Sequence, residues 1–470
     1  MDTNRFFQNA APVTLDEMLE AREQRVHMQK KLLKRFSQPL ISFTLNIPGA
    51  YKLFPLAEQA FSEGCCAINR QLERAGIAAL CRQEQRNITG CELFISVASD
   101  ADRIKVLMVA IEEGHPLGRL FDIDVLDRDG AILHGESYGR KQRSCLICGG
   151  SVWACARNRT HTSEELALKA AACINSYFQR QYADKISEYA LKSLLYEVAV
   201  TPKPGLVDRV NNGAHHDMDF FLFIDSACSL TPYFRECTLK GLDFGGEPTA
   251  LFQGLRYPGM CAENTMFAAT GHVNTHKGLI FSLGIICAAM GYLSKDGACA
   301  DLAMLVSLCK QMTGNVLGEL EDSKANTHGV EIFRKYGLTG ARGEAAQGFP
   351  HARKYGLPII SEMMHSGYSA NEAGITALLH LIAHVQDTNI IHRSDDHTQA
   401  EISRVLRLFL EDSVTPKQIF EKAQALDADF ISQNISPGGC ADILAVSFML
   451  FFCFPNSDPP KDQSTLTNHR

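Results

Sequence analysis

Four polar clusters interrupt apolar stretches in the second half of the chain, and each pairs a charge with glycine or proline. The first starts at Glu197 and runs through Thr201-Pro202-Lys203-Pro204-Gly205-Leu206-Val207-Asp208 to Asn212-Gly213-Ala214-His215-His216-Asp217-Met218-Asp219. Its two prolines stiffen the loop, so Lys203 and Asp208 are presented with little conformational entropy left to lose. The second, Asn274-Thr275-His276-Lys277-Gly278, leads directly into an apolar helix. A helix N-terminus offers free N–H groups and the positive end of a dipole, so phosphate is its natural guest and Lys277 would add a point charge. The third, Gly340-Ala341-Arg342-Gly343-Glu344-Ala345 with Gly348-Phe349-Pro350, joins glycines that let a backbone approach a ligand to an arginine able to grip two phosphate oxygens. The fourth links Asp387-Thr388-Asn389 to Ser436-Pro437-Gly438-Gly439-Cys440-Ala441-Asp442, setting carboxylates at the edges of apolar segments. Each cluster alone has a bland counterpart as a turn, a helix terminator or a cap. Together they read as a phosphate and metal site in the core crevice of a helical enzyme.

The first half offers two further constellations. In Arg119-Leu120-Phe121-Asp122-Ile123-Asp124-Val125, positions i and i+2 of a strand face the same side, so Asp122 and Asp124 project together while Phe121, Ile123 and Val125 face a core. Such a pair is either a solvated strand face or a holder for Mg²⁺ between protein and phosphate oxygens. Cys145-x2-Cys148-x6-Cys155-x5-His161 supplies the ligand types of tetrahedral zinc, although its second pair is not spaced like a common finger. Ordinary reduced thiols are the competing reading. Arg140, Lys141, Arg143, Arg157 and Arg159 surround the cluster, a basic density suited to an anionic substrate.

The elements that must position these groups fall into two kinds. Thr14 with Glu17 makes a capping box for a helix from Thr14 to Phe36. Leu40 to Ile47, Glu92 to Val97, Lys105 to Ile111 and Leu120 to Leu126 read as strands, and Asp127-Arg128-Asp129-Gly130 as a hairpin turn into Ala131 to His134. A second capping box, Thr162 with Glu165, opens a helical stretch, broken or continuous, to about Val200. Beyond it, apolar helical segments alternate with glycine-bearing loops at 202–213, 274–278, 337–350 and 436–439. The expected fold is therefore a mixed α/β domain, 1–182, followed by an all-α domain, 183–470, with a mobile polar tail over 455–470.

With 470 residues, 46% hydrophobic and 21% charged, the chain has the balance of an ordinary globular protein. A net charge of -7 argues against general nucleic-acid binding, which needs clustered Lys and Arg. The start lacks a signal-peptide apolar core, and the 16 cysteines read as reduced, mostly buried thiols of a cytoplasmic protein. The most apolar segments, Gly278 to Leu293 and Ala445 to Phe454, are short for a membrane span and read as core helices.

Two resemblances arise from these motifs. Gly118-Arg119-Leu120-Phe121-Asp122-Ile123-Asp124-Val125, Arg143-x-Cys145-Leu146-x-Cys148 and Cys155-Ala156-Arg157-x3-His161 are similar to the apo-citrate lyase phosphoribosyl-dephospho-CoA transferase family over roughly residues 14 to 180. That family moves a prosthetic group from its triphosphate precursor onto a serine of the lyase acyl carrier protein, releasing pyrophosphate. T-P-K-P-G-L-V-D, N-G-A-H-x-D-M, V-N-T-H-K-G, G-x-x-G-A-R-G-E-A, D-T-N and S-P-G-G-x-A-D-x-L-A resemble the triphosphoribosyl-dephospho-CoA synthases over about 190 to 455. That family condenses ATP with 3'-dephospho-CoA and releases adenine, keeping the triphosphate whole.

The resemblances imply a two-enzyme fusion whose partners are small nucleotides and a carrier protein, with no nucleic acid and no membrane. They imply Mg²⁺ on Asp122 and Asp124, with Arg119, Arg143 and Arg157 binding substrate. In the second domain, Lys203, Lys277 and Arg342 would hold phosphates, while Asp208, Asp217 and Glu344 would serve metal or ribose. His215 or His276 would be the acid or base, and Asn274, Asp387, Asn389 and Asp442 would contact substrate. Zinc on Cys145, Cys148, Cys155 and His161 is the remaining metal expectation. Two alternatives stand beside the fusion: a synthase serving malonate decarboxylase, and a zinc-bearing scaffold that binds a carrier protein without catalysis.

Overall fold

The computed structural model describes residues 6–295, 297, 299–318, 333–412 and 414–456. Two compact units, Met1–Phe178 and Gln179–Arg470, divide the chain, and the division falls inside one unbroken helix, Ser163–Ala199. Most of the expected polar tail, 457–470, lies outside the described residues.

The first unit runs α1 (Leu15–Phe36), β1 (Leu40–Leu45), α2 (Pro55–Arg74), β2 (Ala79–Asn87), β3 (Gly90–Val97), α3 (Ala101–Gly114), β4 (Phe121–Leu126), α4 (Val152–Asn158) and the start of α5 (Ser163–Ala199). Both capping boxes form: Glu17 N–H donates to Thr14 Oγ1 at 3.3 Å and Glu165 N–H to Thr162 Oγ1 at 3.1 Å. The sheet is antiparallel throughout, in the order β2-β3-β1-β4. Ile41, Phe43, Leu93, Ile95, Ile123 and Val125 share a core with α2, α3 and the start of α5. On the opposite face, α1 covers Leu40, Phe94 and Leu126 with Leu32.

Residues 105 to 111 are not a strand. They lie in α3, whose N-cap Asp100 accepts from the backbone N–H groups of Asp102 and Arg103. Ile104, Met108 and Ile111 then fall on one buried face at helical spacing. The run is so continuously apolar that its period could not distinguish helix from strand. β2 escaped notice for the opposite reason: Arg82, Glu84 and Arg86 make it polar, as befits an edge strand. The Asp127 turn does form, with Asp127 Oδ1 accepting from Asp129 and Ala131, but pairing stops at the single bridge Leu126–Ile132.

The second unit continues from α5 with α6 (Phe220–Asp243), α7 (Pro248–Ala269), α8 (Lys277–Ser294), α9 (Leu302–Thr313), α10 (Gly340–Ala346), α11 (Leu357–His365), α12 (Ala370–His384), α13 (Thr388–Arg393), α14 (Asp396–Glu411), α15 (Pro416–Ser432) and α16 (Gly438–Cys453). Its described residues contain no strand. The third polar cluster, expected as a loop, forms the short helix α10. Helices apolar on every side must be surrounded by protein, and α8 and α16 are. With 18 residues α8 is long and apolar enough to cross a membrane, longer than its expected core, but 67% of it is buried within this unit.

α6 and α8 cross at backbone distance. A Cβ on Gly241 would stand 2.0 Å from Ala288 O, and one on Gly291 2.1 Å from Thr238 O. Neither side of the crossing can take a methyl group without separating the helices. Gly241→Ala is expected to lower the stability of the second unit by about 1 to 3 kcal/mol, the usual range for overpacking. Urea denaturation of the full chain measures this, and an unchanged midpoint would contradict the close crossing.

Candidate active sites in the two units

In the first unit the site is built on the open edge of β4. An edge strand presents unpaired backbone groups that need partners. Here Ile123 N–H donates to Glu112 Oε1 at 3.2 Å, Lys105 Nζ donates to Ile123 O at 2.8 Å, and Arg143 Nη2 donates to Phe121 O at 2.6 Å. Glu112 also receives Arg143 at 3.0 Å and Arg140 at 3.5 Å, although its side chain is only 2% exposed. Burial raises its pKa. Arg143 reaches onward to Asp122 Oδ1 at 3.4 Å.

Asp122 and Asp124 share the face of β4 that looks toward α1, opposite Thr44 and Ser42 of β1. Burial, and then the charge of Asp122, raise the Asp124 carboxyl above its usual range. A strand that sets two carboxylates side by side, one of them short of compensation, is suited to a divalent cation. Arg119 donates from Nε and Nη2 to Ser144 O at 3.2 and 2.8 Å, while its Nη1 is buried without a partner among the described residues. Arg119, Arg159, His161, Cys145 and Cys155 line a cavity of about 240 Å³. Arg157 lies exposed on α4. The donor atoms of Cys145, Cys148, Cys155 and His161 lie within 4.8 Å of one another.

In the second unit, two of the expected carboxylates hold the scaffold together. Asp208 accepts from the backbone N–H groups of Lys203, Val210 and Asn211 at 3.0, 2.7 and 3.1 Å. Expected to bind metal or ribose, it instead organises its own loop. Asp387 likewise accepts from Asn389 N–H at 2.8 Å and Cys440 N–H at 2.7 Å, tying the N-termini of α13 and α16 together. Lys203 is 1% exposed and its ammonium pairs with Glu197, so its charge is neutralised within the protein. Lys277 turns outward to Glu263 at 2.9 Å, and Asn274 Oδ1 accepts from Lys277 N–H at 3.3 Å. Asp217 has a side chain 65% exposed and stands 4.0 Å from His215, away from the buried groups.

What converges is a smaller set around the first turns of α8 and α16. Asp442 presses against Gly278, where a Cβ would come within 2.0 Å of its Oδ2. Burial, followed by Glu197 and Asp387, holds the Asp442 carboxyl well above the usual range. It makes no hydrogen bond to protein among the described residues. His276, 1% exposed, bonds through Nδ1 to Ser226 Oγ at 2.7 Å, and Thr275 Oγ1 donates to the same hydroxyl at 2.7 Å. That chain leaves the imidazole proton on Nε2, which is buried with no partner among the described residues. Glu344 is gripped by His351 Nδ1 and N–H, and Arg342, half-buried, makes no ion pair among the described residues. Asn389 lies against Gly438 at the start of α16.

The structure adds residues that the sequence did not single out. Arg393 donates to His215 Nδ1 at 3.2 Å and to Ala214 O at 3.0 Å, and His215 Nε2 meets Ser436 Oγ at 2.9 Å. Burial and Arg393 bring His215 down to about 4, a neutral imidazole. Asp427 holds Gly205 N–H and Asn211 Nδ2 at 2.9 and 2.8 Å. Glu112, Ser226, Arg393 and Asp427 sit within ordinary helical patterns and carried no local signal, and Lys105 lies in the run read as a strand.

A family model described as ATP:dephospho-CoA triphosphoribosyl transferase matches residues 183–457, and one described as apo-citrate lyase phosphoribosyl-dephospho-CoA transferase matches residues 13–177. The protein CitXG of Haemophilus influenzae is 34% identical over 464 residues, 95% of this chain and 98% of its own length. The protein CitXG of Leuconostoc mesenteroides subsp. cremoris is 32% identical with the same coverage. A probable 2-(5''-triphosphoribosyl)-3'-dephosphocoenzyme-A synthase of Streptococcus pyogenes is 38% identical over 282 residues, 57% of this chain and 96% of that protein.

Burial, and then Lys203, lower the His276 pKa to about 3. An unfolded chain would protonate this imidazole near its ordinary value, so the folded state loses stability as pH falls from about 6.5 toward 3. The loss attributable to His276 reaches about 2 kcal/mol by pH 5. His276→Gln should therefore flatten the pH dependence of unfolding between pH 7 and 5, whatever it costs at pH 7. Equal slopes in the variant and the native protein would refute the assignment.

Proposed function

The chain belongs to the CitXG family, whose members join a CitX-type and a CitG-type part, and we propose that it makes the citrate lyase prosthetic group and attaches it to the acyl carrier protein. One observation carries this reading: the two family matches tile a single chain and belong to consecutive steps, the product of one being the substrate of the other. The malonate decarboxylase alternative gives way because the first part matches the citrate lyase transferase. The non-catalytic scaffold gives way because both parts match transferases.

In the second unit, the 2'-hydroxyl of dephospho-CoA would attack C1' of the ATP ribose. The bond from C1' to adenine breaks, and the hydroxyl proton is balanced by the one adenine takes up on leaving. The first turns of α8 and α16 would hold the triphosphate through their free N–H groups and dipoles. Arg342 would add a bidentate grip. His276 Nε2–H would donate a hydrogen bond to bound substrate. Asp442, kept protonated, would be the acid for departing adenine. Glu344 would steady positive charge developing on the ribose.

In the first unit, the carrier serine hydroxyl would attack the α-phosphorus of the precursor, and the α–β bridge breaks to release pyrophosphate. Asp122 and Asp124 suit Mg²⁺, which when bound neutralises phosphate charge and orients the leaving pyrophosphate. Arg143, held between Glu112 and Asp122, would bind the same anion. The Cys145, Cys148, Cys155 and His161 donors suit zinc instead.

The two reactions have separate readouts in one mixture of protein, ATP, dephospho-CoA, Mg²⁺ and apo carrier protein. Adenine should appear without carrier, and pyrophosphate only with it. Asp442→Asn should slow adenine release by about 100-fold, the usual scale for losing a general acid. Asp122→Asn should stop pyrophosphate release and leave adenine release unchanged. Adenine without any carrier modification would sink the fusion reading.

A further inference from the structure

Residues 143–161 are tightly arranged although they have little apolar mass to hold them. α4 buries none of its seven residues, and Trp153 on it is 76% exposed. Cys145 N–H donates to Gly150 O at 2.7 Å and Gly149 N–H returns to Cys145 O at 3.0 Å, a knuckle with Gly149 at φ +71°. Cys148 and Cys155 approach to 3.4 Å between sulfurs, well beyond the ~2.05 Å of a disulfide. His161 Nε2 is buried with no partner among the described residues, a costly arrangement for a polar atom unless a ligand satisfies it.

Zinc bound to sulfur at about 2.3 Å in a tetrahedron would separate its ligand atoms by roughly 3.8 Å. The four donors, all within 4.8 Å of one another, need only small side-chain adjustments to reach that geometry. Three thiolates and an imidazole fill a tetrahedron and leave no position for substrate, which marks a structural site. The site adjoins the reaction centre through the chain itself. Cys145 is two residues from Arg143, which reaches Asp122 and Phe121 O, and one from Ser144, whose carbonyl takes two bonds from Arg119.

We infer that Cys145, Cys148, Cys155 and His161 hold one zinc ion in a closed site, and that this ion positions Arg143 beside Asp122 and fixes Arg119 through Ser144. The metal site stands on geometry alone; the positioning role rests on the transferase reading of the first unit. Arg119 is held by Ser144 O and Arg143 lies two residues before Cys145, so a knuckle that loosens frees Arg119 from that carbonyl and Arg143 from the edge of β4. The synthase reaction of the second unit does not draw on this segment.

Elemental analysis of the full chain should find about one zinc per molecule, and replacement by Co²⁺ should give the intense visible absorption of tetrahedral cobalt thiolate. Cys148→Ser and His161→Ala should lower zinc content, while Cys173→Ser, in the same unit but outside the set, should retain it. The KM for the triphosphate precursor in carrier modification should rise about tenfold in Cys148→Ser, with adenine release unchanged. The cobalt spectrum is read on the native sequence, so it stands even if a variant misfolds. Absence of zinc, or a Cys148–Cys155 disulfide found by mass spectrometry, overturns the site. Zinc present with precursor KM unchanged in Cys148→Ser overturns the positioning role. A native protein that binds zinc but modifies no carrier overturns the transferase reading and leaves the metal site standing.

Discussion

Carboxylates crowded together away from water set the terms for both units. An acid beside other acids in a poorly solvated place must be offset by a cation, keep its proton, or await a ligand that supplies the missing charge. The second unit answers this in two ways: Lys203 offsets Glu197, while burial, Glu197 and Asp387 push the Asp442 carboxyl well above its usual range. In the first unit Arg140 and Arg143 offset Glu112, and the pair Asp122 and Asp124 is left partly uncompensated. Most of the remaining architecture serves to hold these groups in place. The apolar helices α8 and α16 exclude water around one set, and the capped edge of β4 fixes the other.

The architecture separates charges that build from charges that bind. Asp208 and Asp387 spend their oxygens on backbone N–H groups, and Asp427 does the same for the loop around Gly205. The rigidity they confer lets His276 Nε2 and the Asp442 carboxyl remain without hydrogen bonds among the described residues. Preorganisation of this kind is costly in an isolated site, because buried polar atoms normally demand partners. It is tolerable where a substrate repeatedly supplies them.

Much of this was legible in the residues, though not evenly. The capping boxes at Thr14 and Thr162 placed two helix starts correctly. Hydrogen bonding within the clusters was not legible: an aspartate that knits a glycine-rich loop and one left without such bonds have the same local signature, so Asp208 and Asp442 looked alike. Lys203 and Lys277 failed for a related reason, since a partner distant in sequence or on a neighbouring helix decides where a lysine points. The error at residues 105–111 had a different origin. A run buried on most sides loses the periodicity that distinguishes helix from strand, and only the cap at Asp100 would have corrected it. Glu112 was hidden in the last turn of an ordinary helix, where glutamate usually means solvent.

Trp153, the only tryptophan in 470 residues, stands almost bare on the small helix between two of the cysteines. An indole there emits from a watery environment and is open to soluble quenchers in the folded protein. Its signal belongs to the knuckle alone, since no second indole elsewhere dilutes it. The chain thus carries an optical label on one short segment of one unit, and with excitation selective for indole a fluorimeter can follow the loosening of that segment apart from the tyrosines of the helical bundle.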